Sequence, residues 1–383
     1  MIKRRLAEHI RRRERRHRDR GRIQTRLTEN SSDCLFVFET ESASKQYRVD
    51  HACLILERMG LKCIQISLQE LDTIERYNWL ERVRLVVLHR LPSTLSVKHL
   101  INGCIRWKVP LVLDLDDAID DVTVYRQSAI YDHLNRLEKR IHDDLSRRVA
   151  ESLKAADAIS VSTRPLADRI AATGKPVICI PNRISPIMIS SADPDSGEHR
   201  MPRSLGYMSG TSTHHRDFGT IASAVRRIMQ QHTDVRLVIA GPLELPDSID
   251  TRFQDRILRL PLKNWPDFLP YYRRVAVNLA PLETNNPFCR AKSGIKFLEA
   301  ALSSTPTIAP PSPDFLRVIT HESTGFIASS EDQWFQTIQQ CLTNPLNATE
   351  IGENARKYVI QNENIEVNIP IWRDLLSRLG VWP

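Results

Sequence analysis

No apolar run in the 383-residue sequence is long enough to span a bilayer, and its basic start lacks the apolar stretch of a secretory signal. The seven cysteines are scattered, odd in number and without a CxxC pair. That pattern argues against a disulfide framework or a zinc site and fits a reducing, cytoplasmic setting. No GxGxxG follows the first strand expected in either half, which removes an NAD-type dehydrogenase.

Excess charge is also missing from most of the chain. Residues 1–30 hold twelve Lys/Arg and four acids, a surplus of eight that equals the formal charge of the whole sequence. Everything after them is neutral, so the basic balance describes an extension and not a groove. Such an extension suits phosphates on an anionic membrane surface, with a solvated tail or a nucleic-acid arm as alternatives. Few aromatics accompany it, which disfavours nucleic acid, and its four acids argue against a transit peptide.

What is present is a rhythm. Short apolar, β-branched runs at Cys34–Phe38, Lys62–Ile66, Leu85–Leu88, Leu111–Leu115, Ala158–Val161 and Val177–Ile180 alternate with helical patterns such as Arg48–Met59. Continuous rather than alternating runs indicate strands buried on both faces of a parallel sheet. A Pro/Ser/Asp-rich stretch near 187–203 reads as a linker. A second series follows at Leu205–Met208, Val235–Ala240, Ile257–Leu260, Val275–Leu279, Thr305–Ala309 and Phe326–Ala328, with a helix expected from Asp217 to Gln231. The expectation is α/β: two Rossmann-like doubly wound domains, 31–186 and 204–360, facing across a cleft after the 1–30 extension. A helical stretch at 350–379, broken at Pro370, places a C-terminal helix in 361–383 that packs back on the first domain.

The segment Asn285–Pro311 carries the most chemistry. It puts Arg290, Lys292, Lys296 and Glu299 into a turn and the first turns of a helix, with Lys292, Lys296 and Glu299 on one face. A helix start with cations suits a diphosphate, and a solvated charged face remains the alternative. In the first half, Asp114-Leu115-Asp116-Asp117 invites a divalent metal, but carboxylates at a strand end also cap helices or face a cleft.

Taken in order, these pieces resemble the group 1 (family 4-like) glycosyltransferases with the GT-B fold. The second half carries LGYMSGTSTHHRDFG (205–219), VRLVIAGP (235–242) and NNPFCRAKSGIKFLEAALSSTPTIAP (285–310), and the first half a weaker match ending in DAISVSTRPLADRIAATGKPVICIPN (157–182). The resemblance implies a donor site built from Gly210, Thr211, Arg216, Arg290, Lys292, Ser293 and Glu299. It implies acceptor contacts at Tyr47, Arg48 and Asp117, and catalytic roles for Asp116, Arg216 and Lys292. Glu299 matches the second glutamate of the family's E-x7-E motif, which holds ribose in relatives; the first falls at Ala291. An arginine often found in the small-residue loop falls at Gly210. His214 and His215 are candidates for the cleft, with loop bystanders as the alternative. No metal or other cofactor is expected. The implied reaction is retaining transfer of a sugar from a nucleotide-diphosphate donor to a lipid-linked or polysaccharide acceptor, in the cytoplasm and near a membrane. Because of Ala291, a non-catalytic nucleotide- or sugar-binding module stays open beside it.

Overall fold

Two six-stranded sheets, each parallel throughout, organise the computed structural model, which describes Leu27 and residues 32–74, 77–192, 200–210, 214–265 and 267–382. The basic extension lies outside the described residues, apart from Leu27. The first sheet holds β1 (Cys34–Phe38), β2 (Cys63–Ser67), β3 (Leu85–His89), β4 (Leu111–Leu115), β5 (Ala158–Val161) and β6 (Val177–Cys179) in the order β2-β1-β3-β4-β5-β6. The second holds β7 (Ser204–Met208), β8 (Arg236–Ala240), β9 (Ile257–Leu260), β10 (Val277–Leu279), β11 (Thr307–Ala309) and β12 (Phe326–Ile327) in the order β12-β11-β10-β7-β8-β9. Every residue of β1, β3, β4, β5 and β7 is buried, as helices on both faces require.

Three expected elements differ in detail. The helix after β7 is split into His215–Gly219 and Ala222–Gln231. Thr220 bonds its hydroxyl to the Asp217 carbonyl, competing with the helical ladder at the break. The stretch read as a linker begins with the helix Pro186–Ser191, whose Met188 is fully buried. Pro370 breaks nothing: it is the second residue of the last helix, Ile369–Arg378, where its missing N–H costs no ladder bond. The interruption comes earlier, at a 3₁₀ turn over Ile365–Asn368.

The last helix returns to the first sheet. Trp372 meets Phe36 edge to face at 6.4 Å, and Leu375 and Leu376 join the same apolar cluster. The seam between the sheets is apolar as well. The helix Arg164–Ala171 packs on Pro313–Val318, and Tyr125 of the first half lies 6.0 Å from Phe288 of the second. Charged groups close the crossover: Glu363 accepts from Arg183 and from Arg317, and Arg317 also holds Asp314.

Candidate active site

In an open parallel sheet, ligands gather at the carboxyl ends of strands where the strand order reverses. Those points lie between β1 and β3 in the first sheet and between β7 and β10 in the second. Bonds across the seam show that these carboxyl ends face each other. Thr163 donates to the Ala291 carbonyl at 2.7 Å, Asn182 donates to the Ser293 hydroxyl at 2.9 Å, and Tyr47 donates to Glu299 at 2.9 Å.

The first wall is built on β3 and β4. Arg90 follows β3 with a left-handed backbone (φ 57°), a conformation that costs energy in a non-glycine residue and aims its guanidinium at two carboxylates. It lies 3.4 Å from Asp116 and 3.2 Å from Asp117. Asp116 also accepts from Ser44, whose hydroxyl contacts His89 at 2.9 Å. Burial alone would raise Asp116, yet Arg90, His89 and Ser44 hold it low. Asp117 is pushed up by burial and the Asp116 charge against the pull of Arg90. Asp114 points into the interior, where Arg48 clasps it at 2.8–2.9 Å and Ser160 donates at 2.9 Å. All three carboxylates of the Asp114–Asp117 run thus have a cationic partner.

The second wall centres on Asp217, which is 3% exposed. One carboxylate oxygen contacts His214 Nδ1 at 3.0 Å and Lys292 Nζ at 3.7 Å. The other accepts the Glu283 N–H at 3.1 Å and lies 3.8 Å from the Cys289 thiol. His214 is pushed down to about 3 by burial and by Lys296, so it stays neutral and its Nδ1–H donates to Asp217. Lys296 lies 3.3 Å from the Tyr207 hydroxyl and over that ring. Burial, with Lys292 beside it, lowers Lys296 to about 8. Burial would lower Lys292 too, but the Asp217 and Asp117 carboxylates outweigh it and raise the ammonium. Asp217, Glu283 and Cys289 bring one donor atom each within 4.8 Å. Burial holds the Cys289 thiol up at about 12, protonated, and Asp217 is committed to hydrogen bonds, so the trio is a bonded hub.

Several residues expected from the sequence stand elsewhere. Arg48 is buried, and its donors go to Asp114, the Ile180 carbonyl and Asn182, so it clamps the first domain and cannot meet an acceptor. Tyr47 is buried with its hydroxyl on Glu299. A wide π turn over Gln46–Asp50 turns both residues inward. Glu299 is 7% exposed and receives Tyr47 on one oxygen and Tyr272 on the other, at 2.7 Å. Each oxygen thus already accepts one tyrosine hydroxyl, and a ribose would have to share it. Burial raises its carboxyl above the usual range.

The phosphate seat foreseen at the helix start is also filled. That helix begins only at Ile295, leaving Lys292 in the preceding turn, and Asp314 accepts the Gly294 N–H at 2.6 Å. A buried carboxylate therefore already complements the helix dipole. Ser293 faces Asn182. Arg216 binds Asp132 and the Gln127 carbonyl, both in the first domain, so it bridges the domains. His215 joins Asp132 in that bridge, at 2.9 Å. Arg290 is exposed, and its guanidinium bonds to no described residue. Thr211 lies outside the described residues. A Cβ on Gly210 would meet open space; the glycine this region needs is Gly241, where φ is 91° and a Cβ would stand 2.0 Å from the Ser209 carbonyl oxygen.

Of the expected residues, the structure brings together Asp116, Asp117 and Lys292. Sequence reasoning missed Arg90 and Asp217. Asp217 entered the sequence reading only as the start of an expected helix, but Arg90 directly follows a strand at a reversal point, which was a usable signal.

The two sheets, their strand orders and the facing carboxyl ends define the GT-B fold. Residues 202–344 match the family model described as Glycosyl transferases group 1. No curated protein sequence matches it. Among solved structures it is similar to Anabaena HepE in complex with UDP, with 13% identity, a TM-score of 0.58 and coverage of 90% of this chain and 100% of that one. Sucrose-phosphate synthase from Thermosynechococcus elongatus gives 13% identity and a TM-score of 0.62, covering 91% and 98%. S. aureus TarM gives 11% identity and 0.54, covering 80% of this chain and 58% of that one.

Proposed function

We propose that the protein transfers a sugar from a nucleoside-diphosphate donor to a glycan acceptor in polysaccharide assembly, and that the diphosphate is held by Lys292 and Lys296. The observation that carries this reading is a pair of half-buried ammonium groups at the β7/β10 reversal point. Lys292 lies 3.7 Å from Asp217, whereas Lys296 rests on the Tyr207 hydroxyl and ring with no carboxylate at ion-pair distance among the described residues. The Arg290 guanidinium, exposed and also without a bonded partner among the described residues, stands nearby in the chain. A diphosphate offers Lys296 and Arg290 the anionic partner they lack.

During transfer, the acceptor hydroxyl oxygen bonds to the anomeric carbon while the bond from that carbon to the donor phosphate oxygen breaks. The hydroxyl proton passes to the departing phosphate if the reaction retains configuration, as the family resemblance implies. Lys292 and Lys296 stabilise charge on the leaving diphosphate. Asp117, pushed up by burial and by the Asp116 charge, orients a hydroxyl of the sugar or acceptor. Asp116, locked by Ser44 and Arg90, positions that wall and touches no reacting atom. No step of this transfer requires a metal. The 1–30 extension would hold the enzyme at anionic lipid, where lipid-linked acceptors reside.

HepE has been solved with UDP and with UDP-glucose, which makes UDP the first nucleotide to test. Calorimetric titration with UDP, GDP and ADP should find one that binds, and Lys292→Ala and Lys296→Ala should each weaken it about tenfold or more. Unchanged affinity in both variants overturns the assignment. Ala291 favours one second reading, a nucleotide-binding module without turnover. Tight nucleotide binding with no transfer or hydrolysis across a donor panel would select it.

A further inference from the structure

Next to the charged centre, along the carboxyl ends of β10, β11 and β12, lies an open cavity of about 600 Å³. That volume is within the usual range for small-molecule sites. Its apolar lining comes from Leu282, Pro310 and Trp334. Trp334 is only 4% exposed, and its indole N–H has no partner among the described residues. Thr284, Asn285 and Ser330 line the cavity from the second domain and Gln127 from the first. Thr284 and Asn285 make no side-chain hydrogen bond to any described residue, so their hydroxyl and amide are available.

The cations lining the cavity are already paired, and its Glu283 carboxylate accepts the Asn286 amide at 3.0 Å. Arg126 is bound bidentately by Asp143, Arg216 by Asp132, and Glu331 by Arg227 and Ser223. A phosphate would find no free cation here, and an alkyl chain would strand the rim amides and hydroxyls. Neutral donors and acceptors beside an aromatic edge suit a polyhydroxylated ring, whose hydroxyls take the amides while its C–H face lies on apolar surface. The cavity adjoins the reaction centre through Glu283, which lines it and donates its N–H to Asp217.

We propose that this cavity is the acceptor subsite and that it takes a neutral sugar ring of the acceptor glycan. The assignment replaces Tyr47 and Arg48, which are buried, with residues mainly of the second domain. It rests on the transferase reading above for the role of the sugar, but binding can be measured without turnover.

The test uses the full chain and a set of neutral gluco-, galacto-, manno- and rhamno-configured di- and trisaccharides, followed by saturation-transfer NMR with and without UDP. At least one oligosaccharide should bind saturably. The double variant Thr284→Val/Asn285→Ala should lose about tenfold or more of that affinity while UDP affinity stays within about twofold. Lys292→Ala should show the reverse. The proposal is overturned if no neutral oligosaccharide binds, if the double variant binds sugar as well as the wild type, or if it loses UDP equally, which would assign the cavity to the donor. Oligosaccharide binding that depends on Thr284 and Asn285 in a protein that binds no nucleotide would uphold the cavity and sink the transferase reading instead.

Discussion

The Tyr47 hydroxyl donates to Glu299 Oε1 at 2.9 Å, joining the two domains through buried side chains 252 positions apart. Tyr272 takes the second oxygen at 2.7 Å, so both Glu299 oxygens are engaged. Ribose hydroxyls that bind Glu299 in a donor complex would compete with Tyr47 for one of them. Tyr47→Phe therefore has two expected effects of opposite sign. Loss of the hydrogen bond should cost roughly 1–2 kcal/mol of stability. Release of one Glu299 oxygen should raise nucleotide affinity severalfold. Thermal unfolding and calorimetric titration of the same sample check both, and lowered affinity would show that Tyr47 supports the donor site instead of competing for it.

Arg48 and Asp114 make a second separation of structure from function. Both are buried, and removing the guanidinium would leave a carboxylate in the interior with only Ser160 and His89 beside it. Arg48→Met should destabilise the protein by about 3–5 kcal/mol, as breaking one half of a buried ion pair does. Arg48 holds the Asp114 carboxyl far below its usual range, against burial that would raise it. The sign follows: a depressed folded-state value gives stability that is complete above the unfolded carboxylate range and lost as pH falls towards the folded value. Urea unfolding at neutral and acid pH measures this. A variant with wild-type stability and weakened acceptor binding would restore the acceptor role.

The strands were legible because β-branched runs buried on both faces leave no alternative pattern; Cys34–Phe38, Leu111–Leu115, Ala158–Val161 and Ile257–Leu260 match the expected bounds. Lys292 was legible for a different reason, as a cation placed beside a helix that packs on the second sheet. Tyr47 and Arg48 were misread because nothing local distinguishes a cleft residue from one whose partners lie 66 to 252 positions away. Glu299 shows the same limit: its spacing fits a ribose ligand, yet only the assembled domains reveal the two tyrosines on it. Asp217 had a sufficient local explanation as a helix first-turn acid, which concealed a hub for four groups.

The basic extension lies outside the described residues but carries the whole formal surplus of charge. Removing residues 1–30 should abolish sedimentation with vesicles containing anionic lipid and leave UDP affinity unchanged, because the remainder is neutral. Binding by wild type should fall steeply with added salt. Equal sedimentation of the truncated protein would place the lipid contact, if any, on the folded domains.

Lys296 gives the donor site a pH signature. Burial and the neighbouring Lys292 lower it to about 8 in the free protein. A diphosphate beside it favours the ammonium and must raise that value in the complex. Between the two values, binding takes up a proton, so affinity is flat below about pH 7 and falls as pH rises past about 8, by up to tenfold per pH unit. Calorimetry in two buffers of different ionisation enthalpy reads the proton uptake directly. Lys296→Arg keeps its charge throughout this range and should bind with little pH dependence, even if the longer, planar group binds more weakly. A flat wild-type profile up to about pH 9.5 would remove Lys296 from the phosphate contacts and leave Lys292 and Arg290 to balance the donor's charge.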